Sequence, residues 1–199
     1  QDESLVLTRG EAMPAAIHAI FGGGAVASFT VTPELPDGLN FNNGTIFGTP
    51  NINSTLVQYN ITASNNGGSD FFLLNITILE PVAILDTDQV YFELIRSQDY
   101  MNLTLNNTGG MVATWEVEPF LPAGLIFGNG TITGIPSVNA SLASYTIWAN
   151  NTGGSDSIII NIRILEPAAS FAYRQTDYIA VNGQGNLYIS PDILGGNPE

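Results

Sequence analysis

Nine asparagines in this chain have serine or threonine two positions on: Asn43, Asn53, Asn60, Asn75, Asn102, Asn106, Asn129, Asn139 and Asn150. This triplet is the acceptor pattern for N-linked glycosylation, and this content of Asn, Ser and Thr would give about three by chance. Duplication accounts for two pairs, Asn43 with Asn129 and Asn53 with Asn139. The other five stand alone, and Asn161 has lost the pattern to Arg163. Asn and Thr are also common in turns and on the wet faces of strands, which is the bland reading. The excess favours glycosylation of several sites. Attachment requires passage through an exporting, glycosylating compartment, and glycans would keep a surface of few charges soluble.

Other chemistry is thin. Asp86 and Asp88, in "DTD", are weak calcium candidates, because calcium wants six to eight oxygens and one Asp-x-Asp supplies too few. With no cysteine and one histidine, the chain has no transition-metal set. His18 sits in "AAIHAIF", which alternates like a strand, so a Ser-His-Asp arrangement has little to build on. The carboxylates that recur, Asp70 with Asp156 and Glu80 with Glu166, fall at turns and boundaries. No catalytic residue is assigned, and no cofactor is expected apart from glycans and the calcium candidate.

Charge narrows the partners. Four basic residues stand against eighteen acidic ones, a net charge of −14 among 199 residues. Nucleic acid and anionic lipid both need Lys and Arg to replace counterions, so neither is an expected partner. No apolar stretch approaches the roughly 18 residues of a spanning helix, so no membrane insertion is expected of this segment. Self-association, or other surface proteins and glycans, are the expected partners. The opening "QDESLVLTRG" is not a signal peptide, so the targeting segment of an exported chain would be removed or lie outside this sequence.

The elements that must position these residues come in copies. "LPDGLNFNNGTIFGTP" at 35–50 returns as "LPAGLIFGNGTITGIP" at 121–136. Pro36 with Pro122, Tyr59 with Tyr145 and Pro81 with Pro167 are each 86 apart, and more than half the positions from Pro33 to Pro81 are identical in the second copy. A further step carries Gly109-Gly110 onto Gly195-Gly196. A period near 100 residues implies modules that each own a core. The expected domains are 1–81, 82–167 and, as the opening strands of an incomplete third copy, 168–199. That third copy is read as an excerpt of a longer array, or as a unit completed by strands of another subunit.

Within a copy the pattern is strand after strand. "FFLLNITIL" alternates Phe72, Leu74, Ile76 and Ile78 inward with Asn75 and Thr77 outward, and the second copy repeats this through Ile158–Ile164. Asn43-Gly44 and Asn129-Gly130 are two-residue hairpin signals. Pro81 and Pro167 end the last strand of each copy. Trp115, which aligns with Phe29, is read as core. The expected fold is all-β: tandem immunoglobulin-like, Greek-key β-sandwiches.

The motif Leu-Pro-x-Gly-Leu-x-Phe, then Gly-Thr-Ile-x-Gly-x-Pro and a Tyr-bearing strand, resembles the immunoglobulin-like, dystroglycan-type cadherin-like repeats found in tandem in bacterial and archaeal surface proteins. The resemblance spans both copies and, more weakly, the opening of the third. It implies a sandwich of about seven strands and a role in surface architecture or adhesion, and supplies no enzymatic activity. The leading expectation is a non-enzymatic extracellular glycoprotein serving as a stalk, filament or surface-layer component. The alternatives are an adhesion or carbohydrate-binding module, calcium-dependent or not, and an accessory region of a large secreted enzyme.

Overall fold

A computed structural model describes residues 3–20, 22–172, 182, 185 and 189–195. Among them every helix or strand element is a strand. The first copy contributes β1 (Glu3–Thr8), β2 (Ile17–His18), β3 (Ser28–Thr32), β4 (Leu39–Asn42), β5 (Thr45–Gly48), β6 (Ser54–Asn65) and β7 (Gly68–Leu79). Two sheets result, in the orders β1-β7-β6-β3 and β2-β5-β4. The chain switches sheet between β1 and β2, β2 and β3, β3 and β4, and β5 and β6, the Greek-key wiring of an immunoglobulin-like sandwich. β1 runs parallel to β7, with Leu5 opposite Ile76 and Leu7 opposite Ile78.

Alternation explains why these strands hold one register. Leu74, Ile76 and Ile78 are buried together with Leu7, Leu39, Ile46, Tyr59 and Ile61. A slip of one residue would turn Asn75 and Thr77 into that core and expose the isoleucines, so the pairing is strongly specified. Each such aliphatic side chain contributes about 1.5–3 kcal/mol by leaving water.

The second copy contributes β8 (Leu85–Asp86), β9 (Tyr91–Ile95), β10 (Met101–Thr104), β11 (Asn106–Asn107), β12 (Thr114–Glu118), β13 (Leu125–Gly128), β14 (Thr131–Gly134), β15 (Ala140–Asn151) and β16 (Gly154–Leu165). Its sheets are β12-β15-β16-β9 and β10-β14-β13, with β8 and β11 as a separate pair. β9 lies parallel to β16, as β1 does to β7. Leu125, Ile132, Tyr145, Ile147, Ile160, Ile162 and Ile164 are buried. They stand one repeat step beyond Leu39, Ile46, Tyr59, Ile61, Leu74, Ile76 and Ile78. The all-β, duplicated sandwich is therefore as expected.

By Cα proximity the chain groups into two compact units. One is Gln1–Leu85 with Asn107–Thr114 and Ala149–Asp156, the other Asp86–Asn106 with Trp115–Trp148 and Ser157–Glu199. Beyond β16, β17 (Ser170–Ala172) pairs antiparallel with β18 (Asp192–Gly195). These two strands lie one repeat step beyond β8 and β11. Most of the expected third copy falls outside the described residues, and so does Gly196.

The repeated phrase is a hairpin skeleton. Asn43 and Gly44 take φ of 46° and 74°, Asn129 and Gly130 take 48° and 73°, the paired positive values of a type I′ turn. A Cβ on Gly44 would lie 2.8 Å from the Phe29 ring, and one on Gly130 2.8 Å from the Trp115 ring. The aromatic at the aligned position thus lies over the turn. Trp115 also meets Phe127 edge-on, with centroids 6.1 Å apart, and is half-buried rather than fully enclosed.

Candidate functional site

Seven of the nine acceptor asparagines are exposed: Asn43, Asn53, Asn60, Asn102, Asn106, Asn129 and Asn139. The hairpin turns present Asn43 and Asn129, and the outward face of β6 presents Asn60. Its own triplet partner, Thr62, donates its hydroxyl to the Asn60 Oδ1 at 3.2 Å. Asn75 and Asn150 are half-buried. Asn75 points away from the core but lies mid-sheet, accepting from Gln58 Nε2 at 3.2 Å. The Asn150 triplet ends in Thr152, whose hydroxyl oxygen accepts the Glu80 backbone N–H at 2.9 Å.

Asp86 and Asp88 are both exposed. Asp86 Oδ1 accepts the Thr87 N–H at 2.8 Å, the local geometry of an acidic turn. Among the described residues no group of three or more His, Cys, Asp or Glu is placed to hold a metal ion. His18 is exposed on β2, with Nδ1 3.0 Å from Thr45 Oγ1. Among the described residues no helix is long and apolar enough to cross a membrane.

The best-built constellation is one that the strand pattern did not reveal. Within the first unit, the extended segment Glu80–Leu85 lies in a cradle made by the loop 107–114 and the hairpin tip 149–156. Glu80 is buried, at 4% exposure. Its Oε2 accepts from Arg9 Nε at 2.9 Å, and Oε1 accepts from Arg9 Nη2 and from the Met111 N–H at 3.0 Å. The Arg9 bonds hold this carboxyl below its usual range, against the opposing effect of burial, with the Met111 bond assisting.

The backbone of the segment is held almost residue by residue. Asn151 Nδ2 donates to the Pro81 carbonyl at 2.7 Å and to the Met111 carbonyl at 3.1 Å, while its Oδ1 accepts the Gly153 N–H at 2.9 Å. The Gly110 N–H reaches the Val82 carbonyl and the Thr108 N–H the Ile84 carbonyl, each at 3.0 Å. Asn107 Oδ1 accepts the Ile84 N–H at 3.0 Å, and Asp156 Oδ2 the Leu85 N–H at 2.7 Å. Two glycines permit this approach. A Cβ on Gly110 would stand 1.8 Å from the Pro81 carbonyl oxygen, and one on Gly153 1.9 Å from that of Glu80. The arrangement binds an extended peptide by its backbone and reads one carboxylate. The recurrence of Gly109-Gly110, Asn151 and Asp156 one step from Gly23-Gly24, Asn65 and Asp70 was the available signal in the sequence.

Solved structures to which the chain is similar are multi-domain Ig proteins. The N-terminal four Ig domains of Dscam1 isoform 1.9 align at 14% identity over 82% of this chain and 43% of that one, with a TM-score of 0.43. The N-terminal eight Ig domains of DSCAM isoform 1.30.30 align at 15% identity over 98% of this chain and 30% of theirs, with a TM-score of 0.48. The titin domains z1z2, solved in complex with telethonin, align at 13% identity over 83% and 94% of the two chains, with a TM-score of 0.41. The chain thus spans less than half the length of the Dscam1 structure. No curated protein sequence matches it. Residues 4–78 match the He_PIG family model, a putative Ig domain, so the first copy resembles that family in sequence.

Proposed function

We propose that this chain is a structural segment of an extracellular, N-glycosylated surface protein, in which Ig-like modules act as rigid units of a stalk, filament or surface layer, with no catalysis of their own. The module boundaries are taken at Pro81 and Pro167, giving 1–81, 82–167 and the start of a third at 168–199. The observation that carries the reading is the surplus of acceptor triplets together with the exposure of Asn43, Asn53, Asn60, Asn102, Asn106, Asn129 and Asn139.

The physical role is mechanical and colloidal. Separately cored sandwiches resist deformation, while a net charge of −14 and attached sugars keep neighbouring surfaces apart. The acidic surface disfavours nucleic acid and anionic membranes as partners. Other proteins or glycans of the surface, and further modules of this kind, fit better. Intact mass spectrometry of native material tests the reading. Mass above that of the polypeptide, removed by deglycosylation, supports it; a bare polypeptide mass in a cytoplasmic fraction would refute it.

A further inference from the structure

The cradle that holds Glu80–Leu85 has an unfilled counterpart one repeat step earlier. An open groove of about 730 Å³ in the first unit lies between Gly22–Gly24 and the hairpin tip Ser64–Phe72. Asn65 already makes two of the three bonds that Asn151 makes. Its Nδ2 donates to the Ala25 carbonyl at 3.1 Å, and its Oδ1 accepts the Gly67 N–H at 2.8 Å. The missing bond is the one to the Pro81 carbonyl. The Ala27 N–H bonds the Ser64 carbonyl at 2.8 Å, as Ala113 bonds Asn150 at the same distance. Asn65 and the Ala27–Ser64 backbone bond are thus set as their counterparts are in the filled site.

What differs is occupancy. Gly110 is buried and Gly153 half-buried, whereas Gly24 and Gly67 are exposed. A Cβ on Gly153 would strike the Glu80 carbonyl, while one on Gly67 would meet only Asn65 Oδ1, at 3.2 Å. Asp156 is half-buried under the Leu85 N–H, but Asp70 is exposed and accepts the N–H of its own neighbour, Phe71. Apolar surface also lines the groove, with Ile20 fully exposed and Phe71 62% exposed. Conversely, Ala83 is 1% exposed in its cradle.

We propose that this groove is the receptor for the strand end of another module of this kind, an extended Leu-Glu-Pro segment followed by small and apolar residues, as in Leu79–Leu85. The incoming proline carbonyl takes the second Asn65 Nδ2 bond, the glutamate carboxylate accepts the Ala25 N–H in the way Glu80 accepts Met111, and a later backbone N–H reaches Asp70. The inference rests on the modular reading but not on glycosylation or location, so it stands or falls independently of the mass measurement.

The test titrates the full chain with a synthetic peptide of the sequence Leu79–Asp86, followed by amide NMR shifts. Saturable shifts at Ala25, Asn65, Gly67 and Asp70, with a Kd of about 1 mM or tighter (the weak end of specific affinity), are expected. A peptide with Glu at the Ala83 position should bind at least about tenfold more weakly, and this arm leaves the protein unaltered. Gly67→Ala should weaken binding as strongly while retaining the wild-type circular dichroism. The absence of saturable shifts at millimolar peptide, or equal binding by both peptides, would overturn the proposal. Self-association of the chain alone that is lost on Ala169→Glu would support it, with Leu165–Ser170 of a second copy as the occupant.

Discussion

Arg9 grips the buried Glu80 carboxylate at two points across 71 positions of sequence, and the same carboxylate accepts the Met111 N–H. One side chain therefore joins β1, the end of β7 and the loop 107–114 of the first unit. The Glu80 pKa is lowered, chiefly by the Arg9 bond. A depressed carboxylate contributes stability that is fully present above its unfolded value, about 4.3, and is lost as pH falls through the folded value. Melting of the first unit should be flat from neutral pH down to about pH 5 and fall steeply below about pH 4. Glu80→Gln should lower the neutral-pH melting temperature and flatten that acid limb, read by calorimetry across pH.

Tyr59 and Tyr145 occupy the same place in the two cores, and burial raises both hydroxyl pKa values. A raised acid contributes stability present below the unfolded value, about 10, and lost as pH rises through the folded one. Titration at 295 nm should show two of the seven tyrosines ionising late and together with loss of the β signal. Smooth ionisation of all of them in the folded state would contradict this.

Acceptor geometry ranks the glycosylation sites. Glycopeptide mapping of native material should find the seven exposed asparagines more fully occupied than Asn75 and Asn150. Asn75 sits mid-sheet, and the Asn150 triplet has its threonine engaged with Glu80. Highest occupancy at those two would mean that attachment precedes folding.

The hairpin glycines carry both a positive φ and an aromatic lid. Gly44→Ala or Gly130→Ala should each cost about 1–3 kcal/mol from backbone strain, with more from the ring 2.8 Å away. Gly22→Ala, with nothing within 4 Å of its Cβ, should be nearly neutral. Chemical denaturation of the three variants measures the contrast.

The fold was legible because its determinants are local and repeated. Alternation from Phe72 to Ile78 set which face is buried, Asn-Gly set the turn type, and the 86-residue step matched the buried positions of the first two copies. The cradle was much less so. Glu80 reads as a boundary residue because its burial depends on Arg9 and Met111, which no short window contains. Asp156 reads as an acidic turn because the N–H that it accepts belongs to Leu85, 71 positions away. The cis bonds before Pro33 and Pro119 also left no mark that strand periodicity could show.

Hydrogen exchange on the full chain addresses directly whether the two sandwiches have separate cores. Ile76→Ala removes a fully buried side chain from β7 and Ile162→Ala its counterpart from β16, each at about 2–5 kcal/mol. The first substitution should raise exchange at Leu7, Ile46 and Ile61 while Leu103, Ile132 and Ile147 stay protected, and the second should do the reverse. Equal loss of protection in both sets from either substitution would show a single shared core and contradict the modular account.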